Sequence, residues 1–361
     1  MKENVPLKEQ LVNEAHMAAL ASYLKTAHRK LNEKQFVKDA TTGLDELELK
    51  ARMAHVVTVC HKHLPQDFQK AVAILRKIGP KLENTFLAIF LSDYVGQYGL
   101  DFPKFSLEAL RELTRYGSAE FAVRPFLMQD LAGTLKVMKS WARDENEHVR
   151  RLASEGSRPR LPWAPRLDPL VKDPRPTFQI LTAMNDDPSE YVRKSVANHL
   201  NDVSKDHPEL FFELVEQWDQ GKKNTAWIVK KAARTLIKSG HEKAFALFGF
   251  TKEPKVKVEL FIDKMQTKIG GKVELTATIE SLQKRVQSMV LDYRVHYQKK
   301  NGRSAKVFKW REVELPGLAK MEIKKQQDFC QRSTRRIYSG CHTIELLING
   351  TVVASKDVQI S

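Results

Sequence analysis

From the N-terminus to about residue 250 the apolar positions of this chain fall three and four residues apart. Leu49, Met53, Val56, Val57, Cys60 and Leu64 mark one such stripe, the spacing of a helix that buries one face. Similar stripes run through residues 68–78, 86–95 and 107–113. Breaks are expected at Gly79-Pro80, Gly117-Ser118, Asp173-Pro174, Asp187-Pro188 and Gly240, because glycine and proline interrupt helices. Beyond Pro254 the period drops to two. Residues 256–262, 272–279, 290–297 and 341–348 alternate polar and apolar, as half-buried strands do. Turns are expected at Gly270-Gly271, Asn301-Gly302 and Asn349-Gly350.

Three of the helical stretches align with one another. Val149-Arg150-Arg151-Leu152-Ala153, Val192-Arg193-Lys194-Ser195-Val196 and Val229-Lys230-Lys231-Ala232-Ala233 each begin with an apolar residue and two cations, followed by two small or apolar residues. Their valines are 43 and 37 residues apart, a HEAT-like period. The expected fold is an all-α HEAT-like repeat solenoid over residues 1–250, followed by an all-β immunoglobulin-like sandwich over 251–361. The second region lacks the Cys…Trp…Cys framework of antibody domains.

Charge narrows the choice of partner. The chain carries a formal net charge of +16 over 361 residues. Residues 251–361 hold 22 Lys+Arg against 12 Asp+Glu, and the first 250 hold 38 against 32. Such a surplus suits a polyanion, with nucleic acid the default. There is no 18-residue apolar run and no apolar leader, so a membrane is not expected to be a partner. Three cysteines, Cys60, Cys330 and Cys341, fit free thiols in a reducing cytosol. His55, Cys60, His61 and His63 cluster in sequence, but their spacing spreads them around a helix and matches no metal-binding motif; no metal is expected. No glycine-rich phosphate loop is present, so no nucleotide cofactor is expected either.

The candidate chemistry concentrates in the twenty residues 144–163. They begin as a repeat helix and end in a loop braced by Pro159 and Pro162, with Pro165 just beyond. Arg151 and Glu155 are four apart and share a helical face; Lys194 and Asn198 are their counterparts one repeat on, Asp202 lies a turn further, and Lys231 continues the row. This arrangement places cations outermost and Glu155, Asn198 and Asp202 deeper. Arginines and lysines in such a row suit duplex phosphates, although a solvated face laced with ion pairs has the same pattern. Trp163, held by the prolines, can stack on a base or sugar or fill the gap between two repeats. Glu120, expected in the first turn of a helix spanning 119–127, serves equally well as a helix-dipole partner. Trp227 is expected to pack.

Ala119-Glu-Phe-Ala-Val-Arg-Pro-Phe126, His148-Val-Arg-Arg-Leu-Ala-Ser-Glu-Gly-Ser-Arg-Pro-Arg-Leu-Pro-Trp163 and Tyr191-Val-Arg-Lys-Ser-Val-Ala-Asn-His-Leu-Asn-Asp202 together resemble the motifs of AlkC-type DNA glycosylases, bacterial HEAT-like-repeat enzymes. The basic strand-rich region resembles the immunoglobulin-like domain that a subset of them carries. The resemblance implies a monofunctional glycosylase that hydrolyses the N-glycosidic bond of cationic bases such as 3-methyladenine and 3-methylcytosine in duplex DNA, without flipping the base. It implies a monomer in the bacterial cytoplasm, associated with the nucleoid and needing no cofactor. Glu120, Glu155, Trp163 and Asp202 become the catalytic set: Asp202 or Glu155 holds the attacking water, Glu120 assists and Trp163 packs on the deoxyribose. Arg151, Arg158, Arg160, Lys194, Asn198 and Lys231 become the DNA-binding set. The alternative is a HEAT-repeat DNA-binding or scaffold protein without activity.

Overall fold

The computed structural model describes residues 5–83, 85–332 and 335–361. The chain divides into two compact units, one running to Ala232 and the other from Ala233 to Ser361. The short helices Arg234–Lys238 and Glu242–Leu247 thus belong with the strand region rather than with the repeats.

In the first unit the apolar stripes become helices. The stripe from Leu49 forms the helix Leu49–His63, with Met53, Val56, Val57 and Cys60 on its buried face. The next stripe gives Phe68–Leu82, which runs through the expected break at Gly79-Pro80 and keeps Pro80 inside its last turn. Proline is tolerated there because its missing N–H and its clash each affect only the final turn. Phe86–Ala88 and Ile89–Tyr98 follow, then Pro103–Leu113.

The three aligned segments are helices Glu147–Gly156, Glu190–Asp206 and Lys223–Ala232, stacked in that order. The structure separates the roles of the paired cations. Arg150 ties its repeat to the next, gripping Asp187 with both Nε and Nη2 at 2.7 and 3.1 Å, and Arg193 donates to the carbonyls of Asp187 and Pro188 at 2.8 Å, bracing the start of its own helix. The second cations differ: Lys194 is exposed, whereas Arg151 turns to Glu120 and Ser118 and Lys231 lies over the Trp227 ring. No helix among the described residues is long and apolar enough to cross a membrane.

In the second unit eight strands form an immunoglobulin-like sandwich. They are β1 (Val256–Ile262), β2 (Gln266–Thr267), β3 (Lys272–Ser281), β4 (Gln287–Gln298), β5 (Arg303–Leu315), β6 (Lys320–Asp328), β7 (Gly340–Ile348) and β8 (Thr351–Ile360). One sheet has the order β1-β3-β6 and the other β2-β8-β7-β4-β5. Alternate residues of β3 point inward and join Leu291, Tyr293, Val295, Ile344 and Leu346 in a core between the sheets, the geometry of an aligned sandwich. The three predicted turns are present; Gly270, Gly302 and the Asn349-Gly350 pair all have positive φ. The pattern marks β1, β3, β4 and β7 but misses β5, β6 and β8, whose solvent faces carry charged residues in unbroken company with apolar ones.

Candidate active site

The helix Glu147–Gly156 begins at Asn146, whose side chain accepts from the His148 N–H, a standard N-cap. Its buried stripe of Val149, Leu152 and Ala153 fixes its rotation, and that rotation points Arg151 and Glu155 to one side. Glu155 is only 6% exposed. Ser195 Oγ donates to its Oε2 at 2.6 Å, Arg158 Nη1 to its Oε1 at 2.6 Å, and Arg151 Nη2 lies 3.9 Å from Oε1. Burial alone would push the Glu155 carboxyl up; the charges of Arg151 and Arg158 and the Ser195 hydroxyl outweigh it and hold the group below its ordinary value of 4.5. Glu155 therefore stays ionised in a nearly dry place.

Arg158 is the hinge of the cluster. Its Nη1 holds Glu155, and its Nε donates to Asp202 Oδ2 at 2.9 Å. The sequence reading puts Arg158 on DNA phosphates; here its side chain is buried between two carboxylates while still lining the cavity. Arg160 is clamped bidentately by Asp206 at 2.6 and 2.9 Å and stays partly exposed. Both arginines leave the helix for the proline loop, where they turn inward toward Glu190–Asp206.

Glu120 differs from expectation in its setting. It sits in a turn four residues ahead of the helix Arg124–Gln129, because Pro125 favours the first turn of that helix and starts it later than the pattern suggests. A helix-dipole role is thereby removed. Instead Glu120 accepts from Arg151 Nη1 and from the Ser118 hydroxyl. Arg151 in turn covers the Tyr191 ring at 5.0 Å.

The loop after Gly156 is sewn down by a residue that the sequence reading passes over. Arg124, 2% exposed, donates Nη1 to the carbonyls of Gly156 and Arg158 at 3.0 Å and Nη2 to that of Pro165. Burial, with Arg158 nearby, pulls its guanidinium down to about 10. Trp163 is held at the tip with φ +68° and stands 72% exposed, a backbone that a bulky residue adopts only when its surroundings impose it. Lys50 supplies part of that constraint, donating to the Trp163 carbonyl and lying 5.8 Å over its ring.

Glu120, Glu155 and Trp163 all line one cavity of about 780 Å³, together with Lys50, Asp93 and Phe121. Its floor depends on Gly96, where a Cβ would lie 2.8 Å from the Ala122 carbonyl oxygen, so only glycine admits this approach. Asp202 does not line the cavity; it is 2% exposed and sits behind Arg158. Lys194, paired with Glu190 at 2.8 Å, is exposed, Asn198 is half-buried on the same helix, and Lys231 lies 4.7 Å over the Trp227 ring. Trp227 is itself 36% exposed with Arg193 also over it, so it is not simply packing. The histidine cluster goes elsewhere: His55 and His63 both turn to Asp39, and His61 stacks on Tyr98.

Sequence reasoning missed Ser195, Arg124 and Asp93. Ser195 carried a signal, being the polar residue at the position where the neighbouring repeats have Leu152 and Ala232. Arg124 carried none beyond its place in the 119–126 motif, and Asp93 lies in a helix without a repeat signature.

Residues 7–236 match a family model described as DNA alkylation repair enzyme. Residues 257–361 match another, described as the C-terminal Ig-like domain of uncharacterised protein YhaZ. The uncharacterized protein YhaZ of Bacillus subtilis (strain 168) is 38% identical over 357 residues, 98% of this chain and 99% of that protein. Among solved structures, Pseudomonas fluorescens alkylpurine DNA glycosylase AlkC, bound to DNA containing an abasic site analogue, is similar with a TM-score of 0.95. It is 41% identical, and the match covers 98% of this chain and 99% of that one.

Proposed function

Because this chain belongs to the DNA alkylation repair enzyme family, and is a DNA glycosylase of the alkylpurine type, we propose that it hydrolyses the N-glycosidic bond of cationic N-alkylated bases, 3-methyladenine and 3-methylcytosine among them, in double-stranded DNA. The observation that carries the reading is the placement of two arginine-held carboxylates, Glu120 and Glu155, on one cavity beside an exposed, fixed tryptophan.

The chemistry follows from charge. A base alkylated at N3 is already cationic and leaves as a neutral molecule, so it needs no strong general acid, unlike the alcohol leaving group of a glycoside. Positive charge moves onto the deoxyribose as the bond breaks. Fixed carboxylates opposite that charge stabilise the transition state more than the ground state, commonly the largest catalytic effect. Glu155 fits this task and the holding of the attacking water, with Glu120 assisting from the next element. Asp202 acts one step back, as the positioning residue that fixes Arg158 and through it Glu155. Trp163 lies on the sugar, and Arg151, Lys194 and Lys231 meet phosphates.

In this reading the base stays in the stack while the sugar is engaged from the groove. Support comes from the cavity, whose volume of about 780 Å³ is several times that of one base, whereas flipping enzymes hold the base in a snug pocket. The protein would act as a monomer without a cofactor, on chromosomal DNA in the cytoplasm. Methylated duplex DNA should yield free base and alkali-labile sites; binding with no release at any lesion would instead leave a non-enzymatic DNA-binding protein.

Trp163→Ala should lower affinity for duplex carrying an abasic-site analogue by roughly tenfold or more, since one aromatic contact with a nucleotide is worth about 1–3 kcal/mol. The melting temperature should stay within about 2 °C, because the ring is exposed and little packing is lost. Unchanged affinity in a titration would remove Trp163 from the interface.

A further inference from the structure

Four carboxylates belong to this region, and three are tied to arginine: Glu120 to Arg151, Glu155 to Arg158, and Asp202 to Arg158. The fourth, Asp93, makes no side-chain hydrogen bond or ion pair among the described residues, although it lies on the helix Ile89–Tyr98 and faces the same cavity as Glu120, Glu155 and Trp163. A half-buried carboxyl without a partner carries part of its desolvation cost uncompensated, and such groups in a cleft are functional candidates. Resting on the glycosylase reading above, we propose that Asp93 is a specificity-determining residue, whose carboxylate selects lesions by the positive charge of the base when the damaged nucleotide is bound.

The groups facing it set its charge. Lys50 approaches from the helix Leu49–His63, Glu120 from the turn before Arg124–Gln129, and Arg124, Glu155 and Arg158 line the same cavity. Burial, then the charge of Glu120, raise the Asp93 carboxyl, and Lys50 opposes them; the balance is about 7. With a raised value the group is neutral below about pH 6 and ionised above about pH 8. A cationic base entering the cavity's field favours ionisation, so binding and proton release are linked. The apolar walls, Met53, Val57 and Phe121 among them, keep that field from being screened as it would be in water.

Where Asp93 acts in the reaction is also fixed by charge. The base loses its positive charge as the glycosidic bond breaks. A carboxylate acting on the base therefore strengthens binding of the lesion without stabilising the transition state further, whereas one acting on the sugar would do the reverse. Asp93 should show in half-saturation, and Glu155 in maximal rate.

The test is single-turnover release of 3-methylcytosine from a duplex carrying one such lesion, with wild type, Asp93→Asn and Asp93→Ser measured at about pH 6 and about pH 8. At the higher pH both variants should need about tenfold more protein for half-maximal rate, 1.4 kcal/mol per tenfold, with the maximal rate unchanged or raised and lowered by no more than about twofold. At the lower pH the difference from wild type should shrink to within about twofold, because wild-type Asp93 is then neutral. Affinity for the same duplex with an uncharged abasic-site analogue should match wild type at both values. Equal half-saturation at about pH 8 overturns the proposal, as does a parallel loss of abasic-DNA affinity, which would mark a structural role. Release by neither wild type nor variants overturns the glycosylase reading itself, and this inference with it.

Discussion

Replacing Glu155 with glutamine is expected to slow base release at saturating protein by about 10²–10³-fold, the usual loss when one preorganised electrostatic group is removed from a charge-developing transition state. Glutamine fills the same volume and can still meet both Ser195 and Arg158, so the site should keep its shape. Affinity for abasic-analogue duplex should change by no more than a few-fold. Single-turnover rates measured beside binding titrations separate the two effects. A maximal rate within about threefold of wild type would transfer the stabilising role to Glu120. The wild-type maximal rate also has a predicted pH profile. Glu155 sits below its ordinary value of 4.5, so its charge is present above that value and is lost only as pH falls through the lower folded-state value. The maximal rate should therefore be flat from about pH 8 to about pH 5, in contrast to half-saturation, which follows Asp93.

Arg158→Met is expected to have the largest effect on the fold, destabilising the helical unit by about 3–5 kcal/mol. Methionine preserves much of the packing, but Glu155 and Asp202 lose a shared partner while remaining 6% and 2% exposed. A fall in melting temperature on the order of 10 °C should result. The pH dependence identifies the cause. In the wild type Glu155 is depressed, so its partners stabilise the fold above its ordinary value, and that contribution disappears in acid. Without Arg158, burial pulls the same carboxyl upward. A group raised in the folded state costs stability as pH climbs past it. The gap between variant and wild type should thus widen from about pH 5 to about pH 8 in denaturant titrations. A gap that is constant with pH would mean that Arg158 contributes packing rather than charge.

These two outcomes depend on a cluster only partly legible in the sequence. Glu155 was legible because Arg151 and Glu155 are four apart and the repeat alignment orients the helix that carries them. The buried stripe does the rest: Val149, Leu152 and Ala153 must face the stack, so Glu155 must not. Trp163 was legible because three prolines restrict the loop around it. The carboxylate partners of Arg158 were not legible, since residue type and charge look the same whether an arginine meets a phosphate or two carboxylates. Only the distance across the fold to Asp202, 44 residues away, separates these cases. Glu120 was placed at a helix start by its sequence neighbours, and its actual partner, Arg151, lies 31 residues on.

By itself the sequence determined that a helical region precedes a strand-rich one, the spacing of the three aligned helices, and a cationic, acidic and aromatic set in one short segment. Those features are local: a 3.6-residue or two-residue period and a proline-braced loop act over a few neighbouring residues. Which carboxylate faces the cavity, which arginine is buried as a clamp, and the place of a half-buried, unpaired Asp93 on that cavity were decided only by the tertiary structure. Each of them depends on elements 30 or more residues apart meeting in space, and an ionisable group's charge is set by its partners and its burial rather than by its neighbours in sequence. The residues 144–163 supplied the chemistry, and the stacking of the repeats decided how it is wired.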